Sequence, residues 1–516
     1  MRPLRNSDRR DWIALGVIAA AVLLTLVVGL AQLPVQIWDE ARLAINAIEI
    51  TNRGVLLVPT FHGELDLWNP KPPLATWLSA LSMRLFGINE LALRLPSLAA
   101  AIATTFLVYG FTLRATASRA TGVLAALFLL GTGGYVEVHV ARTADADSLL
   151  VFFLTATAFA LFRALEELEA RRNSAWFMLS ASLFACAMLT KGAAAFLVLP
   201  GYAVAIIALR KAKAVLSSPA AWAGSVFVLL VAVLYSSAAE VAHPGFLMHV
   251  WRMDGAGRFA AVSDAHSGPA YYYLKELIRP WQYWTLKGLD DILYNGSAFP
   301  WSLSALLLAP LAFISNDARA RRAAIFCLAT LAGFIIAISA AATKLSWYDA
   351  PAFPLIAVVC AIEVRMLALA TESSPSLKLL GRATVPAAFA AAFVCIGLGV
   401  AKNREENASS AWSRDARLPA FLQNLPEGLT SHGKIAVISD AQWDIPAIHG
   451  GRFQGRLMDD APTEFYVAAL RGRGADVQLV PGLAQTGDAQ LIIGCGLQRR
   501  GANVLLRRGE CSAMTP

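Results

Sequence analysis

Residues 12–33 read WIALGVIAAAVLLTLVVGLAQL, a stretch without a charged side chain. A helix needs about 20 apolar residues to cross the hydrocarbon core of a bilayer. Four arginines precede this stretch, Arg2, Arg5, Arg9 and Arg10, and no small-residue cleavage site follows it. We therefore predict an uncleaved first membrane span, not a secretory signal.

Ten further apolar runs follow along the chain. They lie at 95–112, 121–137, 148–163, 175–189, 193–209, 220–239, 298–314, 323–342, 350–369 and 383–400. Of the 516 residues, 57% are hydrophobic and 16% are charged, whereas a soluble globular protein carries about 25% charged residues. We predict an all-α polytopic membrane protein with about eleven transmembrane helices, in which the two runs around Lys191 are poorly separated.

Basic residues occur in every second loop between these runs. They are Arg114 and Arg119, Arg171 and Arg172, Arg210, Lys211 and Lys213, and Arg319, Arg321 and Arg322. Short cytoplasmic loops collect lysine and arginine, so we predict a bacterial inner-membrane protein with a cytoplasmic N-terminus and a periplasmic tail. These anchors explain the net charge of +8, and nucleic acid is not predicted as a partner.

The first periplasmic loop, residues 34–94, contains two segments with apolar residues at helical spacing. They lie at 41–51 and 74–86. Such helices are typical of the interface plane, where they lie without crossing the membrane.

After Val400 the composition becomes polar and charged. The segments KIAVIS at 434–439 and QLII at 490–493 are typical of short buried strands, and 463–471 is typical of an amphipathic helix between them. We predict a membrane domain at 1–400 and a small periplasmic α/β domain at 401–516. In the tail, Cys495 and Cys511 either pair in the oxidising periplasm or stay free thiols.

Polar and charged side chains collect in the predicted periplasmic loops. They are Asp39, Glu40, Lys71, His139, Arg142, Asp145, Asp147, Lys191, Arg258, His266, Lys344, Tyr348 and Asp349. Charges near membrane depth are costly, so their convergence on one face indicates one functional site. Carboxylates orient or deprotonate a nucleophile, and cations with a phenol hold a phosphate and stabilise charge as it leaves.

Several motifs in a fixed order resemble one enzyme group. WDEAR at 38–42, followed by NPKPPL at 69–74, resembles the first-loop signature of the GT-C glycosyltransferases, in particular the aminoarabinose transferase and protein O-mannosyltransferase group. FGINE at 86–90, LTKG at 189–192 and KLSWY at 344–348 continue the resemblance, which extends over about residues 12–370. It implies a GT-C fold and inverting transfer of a sugar from a polyprenyl-phosphate carrier to an envelope acceptor on the periplasmic face.

The resemblance also implies a role for each matching residue. Asp39 is the implied principal catalytic carboxylate, Glu40 supports it, and Asp147 helps to place the donor or acceptor. Lys71 is the implied ligand of the carrier phosphate, and the prolines on either side fix its backbone. Further implied phosphate ligands are Arg258, Tyr348, Lys191, His266 and Lys344. We expect Asp39, Lys71 and Asp147 to share one pocket, with Asp145 as a neighbour outside the family register.

The implied donor is a polyprenyl-phosphate sugar, and no further cofactor is expected. The implied partners are membrane lipids and an acceptor, which is lipid A, another glycolipid or glycan, or a glycoprotein. Pro70 stands where aminoarabinose relatives often carry an acidic residue, and no CxxC or HExxH spacing occurs, so no metal site is predicted.

Two alternatives stay open at the level of sequence. One is a protein O-mannosyltransferase-like enzyme. The other is a transporter or flippase of lipid-linked sugars, although transporters tend to place charges near the membrane midplane.

Overall fold

The computed structural model describes residues 9–37, 39–54, 57–67, 69–168, 174–262, 266–278, 301–314, 316–410, 417–425, 429, 433–438, 461–480, 485–500 and 503–514. Helices dominate, as the apolar runs predict. In chain order the α-helices are α1 (Arg9–Val22), α2 (Asp39–Arg53), α3 (Leu74–Phe86), α4 (Glu90–Thr116), α5 (Arg119–Leu130), α6 (Gly133–Val136), α7 (Asp147–Glu167), α8 (Ser174–Lys191), α9 (Leu199–Ala208), α10 (Ala212–Leu216), α11 (Pro219–Ala242), α12 (Phe246–Val250), α13 (Ala256–Ala260), α14 (Tyr272–Ile278), α15 (Trp301–Ile314), α16 (Ala318–Ala340), α17 (Phe353–Glu372), α18 (Lys378–Ser410), α19 (Arg417–Gln423) and α20 (Ala461–Gly472).

Eight stretches of the described chain are helical, apolar and long enough to cross a membrane. They are Arg9–Val27, Glu90–Thr116, Asp147–Glu167, Ala175–Ala208, Pro219–Ala242, Ala318–Ala340, Ser346–Glu372 and Lys378–Arg404. Two more predicted spans correspond to the shorter apolar helices Arg119–Leu130 and Ser304–Phe313. The protein is therefore a multi-pass membrane protein.

The predicted spans at 175–189 and 193–209 differ from the structure, in which they form one continuous helical stretch. Helix α8 ends at Lys191 and passes directly into a 3-10 segment, Gly192–Val198, which leads into α9. Only Thr190, Lys191 and Gly192 separate the two apolar runs, and the helical backbone continues through them.

The chain forms two compact units. The membrane unit consists of Met1–Val28, Ser97–Arg142 and Ala146–Lys402. The loop-and-tail unit consists of Gly29–Pro96, Thr143–Asp145 and Asn403–Pro516. The sequence predicts a tail domain of its own from residue 401, whereas the structure groups the tail with the first loop, residues 29–96.

Within the membrane unit, small residues allow close packing of α9 against α16. A Cβ added at Gly333 would lie 2.6 Å from the Cα of Gly201, so both positions require glycine. Small residues at such crossings let helix backbones approach within a membrane. Nearby, the Tyr202 hydroxyl donates to the Leu154 carbonyl across 2.8 Å and links α9 to α7.

In the loop-and-tail unit, α2 and α3 confirm the two helices predicted in the first loop. Strands β1 (Thr60–Phe61) and β2 (Glu64–Leu65) form a small antiparallel hairpin between them. Helix α2 packs against α3, β1 and α20 and is buried on nearly every side. It is thus a core helix of its unit, and its predicted position at the membrane interface stays a prediction.

The tail contains a four-stranded sheet in the order β4-β3-β5-β6. Its strands are β3 (Lys434–Ile438), β4 (Asp476–Val480), β5 (Leu491–Arg500) and β6 (Asn503–Met514). Strand β3 pairs in parallel with β4 and β5, and β5 pairs in antiparallel fashion with β6. Cys495 and Cys511 face each other in the β5–β6 register and form a disulfide. Of the two alternatives for these cysteines, the structure has the paired one.

Candidate active site

An ion pair joins two of the three first-loop residues that the motifs single out. The Lys71 Nζ lies 3.0 Å from Asp39 Oδ1. The two side chains remain 20% and 27% exposed, respectively. The structure therefore brings Asp39 and Lys71 together, as predicted, and leaves both side chains partly exposed.

Local sequence explains where these two groups stand. Asp39 is the first residue of α2, where the positive end of the helix dipole stabilises a carboxylate. Lys71 lies between Pro70 and Pro72, and α3 begins directly after Pro73. Proline fixes its φ angle, so the lysine is presented from a stiff segment just ahead of a helix.

A buried carboxylate, Asp66, holds the lysine-bearing segment against α2. Both Asp66 oxygens accept hydrogen bonds from Arg42, at 2.7–2.9 Å, and Oδ2 also accepts one from Asn46 at 2.9 Å. Oδ1 accepts the backbone N–H of Asn69, two residues before Lys71, at 2.9 Å. The Arg42 guanidinium also stacks on Phe61, 4.1 Å from the ring centre.

Glu40, the neighbour of Asp39, lies in a second and fully buried ion pair. Arg94 donates to Glu40 Oε1 at 2.7 Å and to Oε2 at 2.8 Å. The exposed fractions of the two side chains are 1% for Arg94 and 0% for Glu40. Arg94 also donates to three backbone carbonyls just before α2, those of Leu30, Leu33 and Pro34.

Asp145 comes close to Asp39 within the same unit. Their carboxylate oxygens lie within 4.8 Å of each other. Asp145 is 3% exposed and accepts a hydrogen bond from the Thr143 hydroxyl. Two carboxylates at this separation are able to grip an acceptor hydroxyl between them, and oxygen ligands of this kind also suit a divalent cation. The sequence predicted Asp145 only as a neighbour of the site.

The membrane unit contains a group of side chains around Asp147. Both Asp147 oxygens accept hydrogen bonds from Lys191 Nζ, at 2.6 and 2.7 Å. The lysine nitrogen lies 5.5 Å from the ring centre of Tyr348, within range of a cation–π interaction. The structure thus brings together three predicted residues, Asp147, Lys191 and Tyr348. The expectation that Asp147 shares a pocket with Asp39 and Lys71 stays a prediction.

Lys344 and His266 also meet in the membrane unit. The Lys344 backbone N–H donates to the His266 carbonyl at 2.9 Å. The Lys344 ammonium donates to carbonyls at the end of α16, including that of Ser339 at 2.7 Å, and burial lowers its pKa. Lysine in this position stabilises a helix C-terminus, so this geometry gives Lys344 a capping role. Its implied phosphate contact stays a prediction.

Arg258 belongs to the short helix α13, but its side chain lies outside the described residues, as do the backbone and side chains of Trp38 and 279–300. Sequence reasoning missed the supporting roles of Arg94 and Asp66. Asp66 lies three residues before the NPKPPL motif and Arg94 four residues after the FGINE motif. Their partners are far away in the chain: Glu40 lies 54 residues before Arg94, and Arg42 lies 24 residues before Asp66.

Comparison with known sequences supports the resemblance. Residues 70–236 match the family model described as dolichyl-phosphate-mannose-protein mannosyltransferase. An undecaprenyl phosphate-alpha-4-amino-4-deoxy-L-arabinose arabinosyl transferase of Shewanella sediminis is 29% identical over 309 residues, covering 58% of this chain and 54% of that protein. A protein of the same description from Yersinia pestis is 27% identical over 403 residues, covering 74% and 66%. The matched regions thus span about half to two thirds of these relatives.

Comparison with solved structures identifies the fold. ArnT from Cupriavidus metallidurans bound to undecaprenyl phosphate superimposes with a TM-score of 0.62 and 17% sequence identity, over 93% of this chain and 87% of that one. The apo state of the same protein gives a TM-score of 0.60 and 16% identity. The predicted resemblance to the GT-C fold and to the aminoarabinose transferase and protein O-mannosyltransferase group is confirmed.

Proposed function

We propose that this chain, which has the GT-C fold of the aminoarabinose transferase and protein O-mannosyltransferase group, transfers a sugar from a polyprenyl-phosphate carrier to an envelope acceptor. The observation that carries the proposal is the Asp39–Lys71 pair, in which a cation and a carboxylate lie 3.0 Å apart and both remain partly exposed. A phosphate entering this site offers the lysine a new anionic partner and releases the Asp39 carboxylate for the acceptor.

In the proposed reaction an acceptor oxygen attacks the anomeric carbon from the face opposite the carrier and inverts its configuration. The bond between this carbon and the phosphate oxygen breaks, and the electron pair leaves with the polyprenyl phosphate. Lys71 stabilises that charge as it develops. A hydroxyl acceptor gives its proton to Asp39, with Asp145 as the second carboxylate beside the acceptor, whereas a phosphate acceptor arrives ionised and needs no base.

The resemblance assigns further roles in this proposal. Arg258 and Tyr348 add contacts to the carrier phosphate, and Asp147 helps to place the donor or acceptor. The polyprenyl phosphate is the only leaving group, and the proposed reaction uses no cofactor. The transfer takes place on the periplasmic face of the inner membrane, with the N-terminus in the cytoplasm.

Lipid A or another envelope glycolipid is the proposed acceptor, because relatives named for arabinosyl transfer match up to 74% of the chain. The family model favours a second candidate, a protein acceptor, since its description names protein mannosylation. Mass spectrometry of lipid A and of periplasmic glycoproteins from a deletion strain separates the two. A mass change confined to lipid A supports the glycolipid, and one confined to glycoproteins supports the protein acceptor.

The activity itself is tested by incubating the purified protein with a panel of polyprenyl-phosphate sugars and an acceptor extract. We expect one donor to be consumed, with release of free polyprenyl phosphate and formation of a glycosylated product. Movement of labelled carrier across reconstituted vesicles without any new glycosidic bond would instead support a flippase. The assay is repeated with a chelator. Because the proposed reaction uses no metal ion, we expect the rate of sugar transfer to be unchanged.

A further inference from the structure

The acidic residue next to Asp39 does not face the exterior. Glu40 is fully buried, and each of its oxygens has more than one hydrogen-bond donor within the loop-and-tail unit. Oε2 accepts from Arg94 at 2.8 Å and from the backbone N–H of Gln36 at 2.7 Å. Oε1 accepts from Arg94 at 2.7 Å and from the backbone N–H of Ala144 at 3.0 Å.

The bond to Ala144 links two parts of the site that are distant in sequence. Ala144 follows Glu40 by 104 positions and lies directly before Asp145. Asp39 directly precedes Glu40 in α2. Glu40 therefore contacts the backbone directly before Asp145 through its side chain, and it follows Asp39 directly in the chain.

Arg94 fixes this carboxylate in place. Its five hydrogen bonds go to both Glu40 oxygens and to the carbonyls of Leu30, Leu33 and Pro34, over 2.6–3.0 Å. Those carbonyls belong to the segment that leads into α2, so the same guanidinium holds the helix start and its glutamate. The planar five-donor group of arginine suits such a site, whereas a lysine cannot supply this pattern.

We propose that Glu40, held by Arg94, is a positioning residue that sets the separation between the Asp39 and Asp145 carboxylates. The inference rests on the proposed function for its catalytic consequence. It specifies the supporting role that the family resemblance implies for Glu40 and excludes contact with the substrate, because the carboxylate is buried and fully occupied. A misplacement of about 1 Å in a reacting group costs about 100-fold in rate, so loss of the link should lower kcat far more than it changes KM for the donor.

The test uses Glu40→Asp, which keeps the charge but shortens the side chain, so that it no longer reaches both Arg94 and Ala144. We expect kcat to fall about 100-fold, within the range of such displacements, with KM for the donor changed by less than about threefold. In an Asp145→Asn background the same substitution should cost less than about threefold, because the carboxylate that it positions is already absent. An equal loss in both backgrounds would overturn the proposal.

Arg94→Lys is the second variant, in case Glu40→Asp does not fold, and it should show the same dependence on Asp145. Arg163→Lys is the matched control, because Arg163 pairs with Glu166 on α7 at 2.7 Å, outside the proposed machinery. It should leave kcat and KM unchanged.

Hydrogen exchange of the peptide that contains Ala144 provides a readout independent of transfer. We expect faster exchange in Glu40→Asp and Arg94→Lys than in wild type and Arg163→Lys. Unchanged exchange in both site variants would overturn the positioning geometry. If the site variants exchange faster but the wild-type protein consumes no donor, the link between Glu40 and Ala144 is supported and the proposed function is rejected.

Discussion

Two adjacent carboxylates at the start of α2 form ion pairs of opposite character. Asp39 pairs with Lys71 where both side chains are partly exposed, at 27% and 20%. Glu40 pairs with Arg94 where both are buried, at 0% and 1%. In the exposed pair a phosphate is able to replace the carboxylate as the partner of the lysine, whereas the buried pair is surrounded by further donors and carbonyls. The proposal accordingly gives these neighbouring acids of one motif different purposes, substrate chemistry for Asp39 and support for Glu40.

Burial also determines what each pair contributes to stability. An exposed ion pair contributes about 0–1 kcal/mol, because water and salt screen it. Removing one partner of a buried pair costs about 3–5 kcal/mol, because the remaining charge is left without compensation in a low-dielectric interior. The comparison therefore predicts that substitutions at Asp39 and Glu40 affect different measurements.

The largest effect is expected for Glu40→Gln on stability. The substitution leaves the Arg94 guanidinium buried against a neutral amide, so the free energy of unfolding should fall by about 3–5 kcal/mol. A thermal melt of the detergent-solubilised protein, compared with Asp39→Asn, measures the difference. Equal melting temperatures for the two variants would show that the contrast between the pairs does not exist.

Asp39→Asn should instead act on catalysis. Loss of a preorganised charge in the site should reduce the transfer rate by about 100–1000-fold, while the melting temperature stays near that of wild type. Initial rates with the donor identified from the panel provide the measurement. Transfer at the wild-type rate by a folded Asp39→Asn protein is incompatible with a catalytic carboxylate at this position.

A third ion pair, Asp147–Lys191, is buried to an intermediate degree. Asp147 and Lys191 are 6% and 9% exposed, so Asp147→Asn should reduce the free energy of unfolding by about 1.5–3 kcal/mol, the range of hydrogen bonds to charged groups. The loss should fall between those of Glu40→Gln and Asp39→Asn in the same thermal melt. A loss outside that order would mean that burial alone does not rank the three pairs.

The smallest effect concerns the capping lysine of α16. Burial lowers the pKa of Lys344, so above its folded-state pKa the unfolded chain binds more protons than the folded chain. Stability should then rise with pH until the ordinary lysine pKa is reached. The melting temperature of wild type relative to Lys344→Met should increase as the pH rises toward about 10, the ordinary lysine value. A constant difference over that range contradicts the lowered pKa.

The sequence predicted those parts of the molecule that correspond to a local pattern of residues. Continuous apolar runs predicted the helices, and the first-loop motifs predicted the meeting of Asp39 and Lys71, which lie 32 positions apart. The 3-10 segment after Lys191 was missed because its residues, GAAAFLV, are apolar and continue into the apolar run of α9.

The contacts that support the site could not be predicted from the sequence, because they join residues far apart in the chain. The bonds of Glu40 to Arg94 and to Ala144 span 54 and 104 positions, and nothing in the spacing of these residues requires them to meet. Asp145 was set aside because it lies two positions from the motif register of Asp147. Its closeness to Asp39 becomes visible only in three dimensions.

The most direct test of the account is the affinity of undecaprenyl phosphate for wild type and for Lys71→Ala, measured by titration in detergent with Arg163→Lys as the control. A charge-assisted hydrogen bond is worth about 1.5–3 kcal/mol, and each 1.4 kcal/mol is about tenfold in affinity. We therefore expect Lys71→Ala to bind about 10–100-fold more weakly and Arg163→Lys to bind like wild type. Equal affinity for wild type and a folded Lys71→Ala protein would contradict the assignment of the exposed pair to a phosphate-linked donor.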